Sequence, residues 1–212
     1  MKKQNKFLSI GVLAFVLVVG AAGFINNNKA VKGDNSPAFI SSEAKVIGYR
    51  DFNELDNTAE LILKGTKAKV ISTFIDKNEF GETIDYHTQS AIKINQIFKS
   101  DNQDIVEGSE VTVQENGAIE TTEDGTLIYG IEGYQLMNEN EEYLLFLDKS
   151  LTDPNVYFVK GVYYGKIPLS EPKVNKILEQ SEEESSQDLE IYGEYPEALN
   201  TIFKEALEKY GR

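Results

Sequence analysis

The stretch that most constrains the fold is residues 134–148, with the sequence YQLMNENEEYLLFLD. Its second half, residues 143–147, is an unbroken apolar run, so a strand formed there would be buried on both faces. Asparagines and glutamates end the run on one side and Asp-Lys-Ser ends it on the other, which makes it too short for a helix. The stretch therefore predicts a β-hairpin whose last strand is central, with Leu145 fully buried beside Leu144 or Phe146.

The rest of the sequence predicts a mainly β domain, residues 45–178, whose strands surround the central one. Short alternating runs predict strands at residues 61–75, 86–97, 110–114, 127–131, 134–137, 143–147, 156–160 and 162–167. Gly65 in the first strand suggests a sharp bend, and the parity change at Ile97 suggests a bulge near Gln96. This regular spacing predicts a small antiparallel barrel within residues 45–168.

Side-chain alternation assigns faces to the first two strands. In the first strand, Thr66, Ala68 and Val70 share one face, and Lys67 and Lys69 share the other. In the second strand one face carries Tyr86, Thr88, Ser90, Ile92 and Ile94, and the other carries His87, Gln89, Ala91, Lys93 and Asn95. Residues 115–125 are acidic and contain threonine and glycine, so we expect a mobile loop there.

A short helix is predicted before the first strand. Asp51 followed by Glu54 forms a capping-box pattern, so a helix should begin there and run to about residue 60. Its inward side carries Phe52, Leu55 and Ala59.

An amphipathic helix is predicted at the C-terminal end, residues 195–212. Pro196 suits the first helical position and Gly211 suits the stop. One apolar stripe is formed by Leu199, Ile202, Phe203, Ala206, Leu207 and Tyr210. An acidic linker, residues 179–194, lets this helix fold back beside the first helix, which we expect. Binding of a partner by the stripe is the alternative.

The N-terminus reads as a membrane helix. Lys2, Lys3 and Lys6 precede an apolar segment, residues 7–25, that is at the short end of what spans a bilayer. We predict an uncleaved signal-anchor, residues 1–25, with a cytoplasmic N-terminus and the remaining chain outside. A cleaved signal is the alternative, because small residues lie near the end of the segment. Residues 26–44 read as a stalk.

Composition excludes several classes of partner and site. The formal net charge is −14, and such a surface repels nucleic acid and anionic lipid. The chain has no cysteine, which excludes a disulfide framework, a thiolate nucleophile and a cysteine metal site. The partners that remain are the membrane through the N-terminal segment, and a protein, peptide or glycan.

No catalytic, cofactor-binding or metal-binding residue is assigned from the sequence. His87 is the only histidine and lies on a predicted polar strand face. Residues 76–81 begin like an EF-hand loop, but Phe80 occupies a ligand position and His87 replaces the bidentate glutamate. A weak Ca²⁺ site or, with better support, a set of water-facing charges is formed by Asp101, Asp104, Glu107 and Glu110.

Three tyrosines near the end of the barrel allow two interpretations. Tyr157, Tyr163 and Tyr164 could form an exposed stacking platform for a glycan or peptide. Core packing is the alternative that we favour, because aromatic side chains supply much of the buried area of small domains.

Several short segments, in this order, resemble the netrin-like domain, the OB-type barrel shared with tissue inhibitors of metalloproteinases. They are AELILKGT at residues 59–66, INQIFK at 94–99, GSEVTV at 108–113 and EYLLFL at 142–147. The resemblance extends over about residues 52–166 and is shared with uncharacterised bacterial surface proteins. It implies an OB-like barrel. The inhibitors place an N-terminal cysteine on the protease zinc, and this chain has none, so their mechanism is not implied.

These observations predict a membrane-anchored, extracellular, non-enzymatic binding or assembly module. The alternative is a carboxylate-dependent hydrolase or a Ca²⁺-dependent surface domain. An enzyme would need acids or the histidine converging in a cleft, whereas a binding module would expose an aromatic or apolar patch.

Overall fold

The protein is described by a computed structural model over residues 37–169 and 196–211. The predicted membrane segment (1–25), most of the predicted stalk and the predicted acidic linker (179–194) lie outside the described residues. No helix within the described residues is long and apolar enough to cross a membrane. The described residues form a mainly β structure with two helices, in agreement with the predicted fold class.

The described residues form nine strands and two helices. They are β1 (Ala38–Ser42), α1 (Phe52–Thr58), β2 (Leu61–Lys77), β3 (Thr83–Ser100), β4 (Glu110–Glu115), β5 (Gly117–Thr122), β6 (Gly125–Ile131), β7 (Glu142–Lys149), β8 (Val156–Val159), β9 (Lys166–Pro168) and α2 (Pro196–Tyr210).

Five strands pair in a closed ring. β2 pairs antiparallel with β3 and with β7, and β3 pairs antiparallel with β4. β4 then pairs with β8, and β8 pairs antiparallel with β7, which returns to β2. The predicted antiparallel arrangement is wrong at one junction, because the β4–β8 pair is parallel. β9 adds to β7 over three residues.

The central strand was predicted correctly, but the hairpin was not. Every residue from 143 to 147 is buried, and Leu145 is 0% exposed. Residues 134–137, however, form no strand, and β7 pairs with β2, β8 and β9 instead. The reason is that side chains bind this backbone: Met137 donates its N–H to Glu115 (2.6 Å) and accepts a hydrogen bond from Lys67 (2.8 Å).

The long strands β2 and β3 extend beyond the ring as a two-stranded ribbon. β7 pairs with β2 only over residues 61–66, and β4 pairs with β3 only over residues 88–93. We call the remaining ribbon, residues 68–87, the arm. Its turn is closed by Asn78, whose side-chain oxygen accepts hydrogen bonds from the N–H groups of Phe80 (3.0 Å) and Glu82 (2.9 Å). The stretch at residues 76–81 that begins like an EF-hand loop therefore belongs to the end of β2 and to this turn, which spans residues 78–82.

The bulge predicted in these strands is present. The register between β2 and β3 shifts between Lys64 and Gly65, opposite Asn95, as predicted for the region of Gln96. Gly65 is required there, because a Cβ at this position would collide with the side chain of Ile92. The face predicted to be shared by alternate β3 residues is confirmed, and it is the inner one, because all of its members are buried: Tyr86, Thr88, Ser90, Ile92 and Ile94.

A second, three-stranded sheet lies against the arm in the order β1-β6-β5. β1 was missed, since it lies in the predicted stalk, and it pairs parallel with β6. The mobile loop predicted at residues 115–125 is wrong, because β5 pairs antiparallel with β6 there. Packing explains the difference: Ala118 and Tyr129 bury themselves against Tyr86 of the arm, with the two tyrosine ring centroids 5.2 Å apart.

Both helices pack on the outside of the ring. Asp51 caps α1 by accepting a hydrogen bond from the N–H of Glu54 (2.9 Å), as the capping box predicts. The α2 residues Leu199, Ile202 and Ala206 are buried in one cluster with residues of α1 and β7. The Tyr210 hydroxyl donates to the Asp56 carboxylate of α1 at 2.7 Å. The prediction that the C-terminal helix docks beside the first helix is confirmed.

Candidate functional site

A buried ion pair lies inside the ring. The Lys67 ammonium is 2.8 Å from a Glu115 carboxylate oxygen, and the two side chains are 2% and 0% exposed. Glu115 also accepts hydrogen bonds from the hydroxyl groups of Ser90 (2.6 Å) and Tyr134 (3.1 Å) and from the N–H of Met137. Each carboxylate oxygen has two donors, which offsets the cost of burying the charge.

This cluster holds structure together and offers no access to a substrate. It binds residues 134–137 to the ring through the backbone of Met137 and the side chain of Tyr134. Burial raises the pKa of Tyr134 well above its usual value, so its hydroxyl stays a neutral donor. Sequence analysis missed the cluster because charged side chains were assigned to loops and outer faces. Alternation carried the signal, since Lys67 continues the inward series Leu61, Leu63 and Gly65.

Lys166 lies beside this cluster with a destabilised charge. Its ammonium donates to the backbone oxygen of Gln135 and lies 3.8 Å from the centroid of the Tyr134 ring. Burial lowers the pKa of Lys166 to about 8, and the positive charge of Lys67 acts in the same direction. The neighbouring Glu115 opposes both effects.

This shift predicts that the protein becomes more stable as the solution becomes mildly alkaline. Because the pKa of Lys166 is about 8 in the folded state and ordinarily 10.5, as in an unfolded chain, the unfolded state binds more protons between these values. The contribution of Lys166 to the free energy of unfolding, measured as the parent minus Lys166→Met, should therefore rise by about 1.5 kcal/mol from about pH 8 to about pH 9.5. Urea titrations should show this slope in the parent and in Lys204→Met, an exposed control. An unchanged slope in Lys166→Met would contradict the assignment.

The outer face of the sheet carries a polar and aromatic surface. Ser72, Gln89, Gln114 and Phe158 follow one another in register across β2, β3, β4 and β8. Beside this row, the Phe74 and His87 rings stack with centroids 5.0 Å apart and an interplanar angle of 23°. None of these side chains on β3, β4 or β8 is fully buried, so the surface is open to solvent.

The arm exposes more large apolar side chains than any comparable part of the described chain. Their exposed fractions are 40% for Val70, 48% for Ile71, 45% for Phe74, 80% for Phe80 and 62% for Ile84. Isolated exposed apolar residues are normal on a protein surface, but this one ribbon carries five, and they lie on both of its faces, since Phe74 pairs with His87 and Val70 pairs with Ser90. The sequence showed Val70, Ile71 and Phe74 as ordinary strand residues, because only the tertiary pairing reveals that the ring does not cover them.

A cavity of about 690 Å³ lies between the segment after β1 and the turn before β9. Glu43, Lys45, Glu132, Tyr163 and Tyr164 are among its lining residues. The two tyrosine rings stack on each other at 5.2 Å and are themselves buried. The lining brings no acid–base pair to a buried position, because Glu43 and Lys45 are exposed.

The tyrosines singled out from the sequence are mainly core residues. Tyr157 is 4%, Tyr163 is 6% and Tyr164 is 2% exposed, so the stacking platform is wrong and core packing is the correct interpretation. Tyr157 belongs to the cluster inside the ring, and the other two pack with α1 and α2.

The remaining residues considered from the sequence do not converge. His87 lies on the arm rather than in a cleft, stacked on Phe74. Asp101, Asp104, Glu107 and Glu110 are all exposed, and Glu107 accepts a hydrogen bond from the N–H of Ile97 at 3.1 Å. Within residues 37–169 and 196–211, no three histidine or acidic side chains are placed to hold a metal ion.

Comparison of the chain with protein-family models and with curated proteins finds no match.

Proposed function

We propose that this protein is a non-enzymatic binding or assembly module that uses the arm to contact a partner. The observation that carries the proposal is the concentration of exposed apolar side chains, Val70, Ile71, Phe74, Phe80 and Ile84, on a ribbon that projects beyond the ring. Exposed apolar side chains concentrated on one projecting element are typical of a protein-interaction surface.

The chemistry of the polar clusters also favours binding over catalysis. The Lys67–Glu115 pair is almost completely buried, so a substrate would have no access to it. His87 is stacked on Phe74 in an open sheet face, where no enclosing cleft would position a reacting group.

An OB-like barrel is the scaffold that we propose for this module. The ring order β2-β3-β4-β8-β7, closed by β7 on β2 with a parallel β4–β8 pair, supports it. OB barrels are five-stranded Greek-key barrels that bind ligands on one sheet face and its adjoining loops. The arm occupies the first strand–strand connection of such a barrel. The netrin-like resemblance fits the same scaffold.

We further propose that the module is displayed outside the cell by its N-terminal segment. The support is the sequence pattern of Lys2, Lys3 and Lys6 before the apolar residues 7–25. A partner would then be a surface or secreted protein.

The proposal is tested by site-specific photo-crosslinking of the full-length chain in the cells that express it. Benzoylphenylalanine replaces Phe74 in one variant and Val106 in a matched control. The two side chains are 45% and 53% exposed, and Val106 lies in the β3–β4 loop at the opposite end of β3 from the arm tip. We expect a discrete adduct from position 74 with a yield about tenfold above that from position 106.

Equal yields at the two positions, or no adduct at position 74, would overturn the proposal. Mass spectrometry of the adduct identifies the partner and the contacted segment. A variant with Ile71→Ser in addition to the crosslinker should lose most of the adduct, because the arm would lose one of its larger exposed apolar side chains.

A further inference from the structure

We propose that the free edge of β2 in the arm binds an extended segment of a partner protein as an additional β-strand, and that this segment is apolar in the middle and basic at its ends. The inference rests on the proposed binding function and specifies its mode. Strand addition to an open sheet edge derives its affinity from main-chain hydrogen bonds and its specificity from alternate side chains.

The outer edge of β2 loses its neighbours at the base of the arm. Pairing with β7 ends at Thr66. Lys67 then donates its N–H to the Glu141 oxygen (3.1 Å) and accepts a hydrogen bond from the N–H of Asn140 (2.8 Å). Beyond this point no strand of the described chain pairs with that edge of β2.

The ladder with β3 determines which backbone groups point outward. In an antiparallel pair, residues alternate between bonding to the partner strand and pointing away from it. Lys67, which points outward, lies opposite Ile92. Every second β3 residue from there is therefore opposite an outward-pointing residue of β2. These positions are Ser90, Thr88 and Tyr86, which lie opposite Val70, Thr73 and Ile75, respectively.

Val70 is consistent with this alternation, because its backbone N–H points away from β3 and binds an acceptor there. Its N–H donates to a side-chain oxygen of Glu139 at 3.2 Å, so a carboxylate takes the place of a strand carbonyl. The outward N–H and C=O groups of Thr73 and Ile75 have no such substitute from a described strand. A partner strand can bond to both residues without displacing any part of the ring.

The composition of this edge favours strand pairing. Residues 70–75 read VISTFI, a six-residue run with no charge, no proline and no glycine, rich in β-branched and aromatic residues. Such a segment has high β propensity. Natural proteins usually protect open edges with charges, prolines or bulges. The outer half of this edge lacks the first two protections, which is consistent with an edge that is covered by a partner.

Charges at the two ends of the run define the partner further. Glu139 stands at the base, while Asp76, Glu79 and Glu82 cluster at the tip. Lys77 at the tip is paired with Glu120 at 2.6 Å, which leaves the tip acidic. At the base, the exposed Lys69 points to the outer face in register with Ala91. Basic residues at both ends of a partner strand would complement these acids.

A second copy of this chain fits the edge poorly. The net charge of −14 makes two copies repel each other. The occupant that the charges favour is a segment of a different, basic protein.

The test compares Thr73→Pro with Thr73→Ala in the full-length chain. Proline removes an N–H that faces away from β3, a position where an edge strand tolerates it, whereas alanine keeps that N–H. The probe is a fluorescent nine-residue peptide with valines at alternate positions and lysines at both ends, followed by fluorescence polarisation. We expect Thr73→Pro to weaken binding about tenfold or more, and Thr73→Ala less than about threefold.

A second experiment leaves the protein unchanged and varies the peptide, so its result does not depend on the folding of the proline variant. N-methylation of alternate peptide amides along one edge should weaken binding about tenfold or more, and replacing the lysines by glutamates should do the same at low salt. Equal binding of the methylated and unmethylated peptides would overturn strand addition. If the crosslinked partner nevertheless contacts Phe74, the binding function would stand and only its mode would fail.

Discussion

Replacing Glu115 with leucine is expected to lower the free energy of unfolding by about 3–5 kcal/mol, because removing one member of a buried ion pair leaves the other charge uncompensated. The Lys67 ammonium would remain 2% exposed without its carboxylate. The hydroxyls of Ser90 and Tyr134 and the N–H of Met137 would lose their acceptor as well. Urea denaturation followed by tyrosine fluorescence and circular dichroism measures the loss.

The matched control is Glu120→Leu, which removes the carboxylate of the Lys77–Glu120 pair. That pair has a 2.6 Å contact, but its side chains are 37% and 22% exposed. Its loss should change stability by no more than about 1 kcal/mol, as for other exposed pairs. Adding Lys67→Met to Glu115→Leu should recover part of the loss, since no buried charge would then remain from the pair. A loss below about 1 kcal/mol for Glu115→Leu would contradict the role assigned to the pair.

The second large effect is expected at Leu145. Leu145→Ala should lower the free energy of unfolding by about 2–5 kcal/mol, from lost transfer free energy and the cavity that remains. Leu145 is 0% exposed and lies in the cluster inside the ring, directly opposite Leu63 of β2. Because β7 is bound to other strands on both edges, the surrounding backbone has little freedom to collapse into the cavity.

Leu151→Ala serves as the control for Leu145→Ala. Leu151 has the same chemistry but is fully exposed in the loop after β7. Its substitution should stay within about 0.5 kcal/mol of the parent. Equal effects of the two substitutions in thermal and urea unfolding would contradict the central position of β7.

The sequence predicted elements where local pattern and burial agree. The apolar run at residues 143–147 indicated a strand buried on both faces, and the structure confirms it. The capping box at Asp51 and the stripe of the C-terminal helix predicted α1 and α2 for the same reason. In each case a short segment carries its own signal, and tertiary contacts reinforce it.

The secondary-structure predictions were wrong where residues far away in the sequence determine the local structure. Residues 134–137 look like a strand, yet their backbone bonds to the side chains of Lys67 and Glu115 rather than to a neighbouring strand. The acidic stretch after Glu115 looks like a loop, yet β5 forms because it pairs with β6 and packs on Tyr86. The parallel β1–β6 and β4–β8 pairs also join segments far apart in the sequence.

The candidate binding surface was not predictable for the same reason. Within β2, residues 61–66 and residues 70–75 belong to one run that the sequence predicts as a single strand, residues 61–75. Only the pairing with β7 distinguishes them, because it covers the first group and leaves the second open. An exposed edge is therefore a property of the assembled sheet, and no local pattern in β2 reveals it.

Amide hydrogen exchange at single-residue resolution tests the free edge of β2 most directly. In the full-length chain alone, the outward N–H groups of Thr73 and Ile75 should exchange rapidly, while the inward N–H of Phe74, opposite His87, should be protected. Saturation with the lysine–valine peptide should slow Thr73 and Ile75 at least tenfold and leave the loop around Val106 unchanged. Protection of Thr73 and Ile75 before the peptide is added, or rates that stay unchanged when it binds, would contradict binding at this edge.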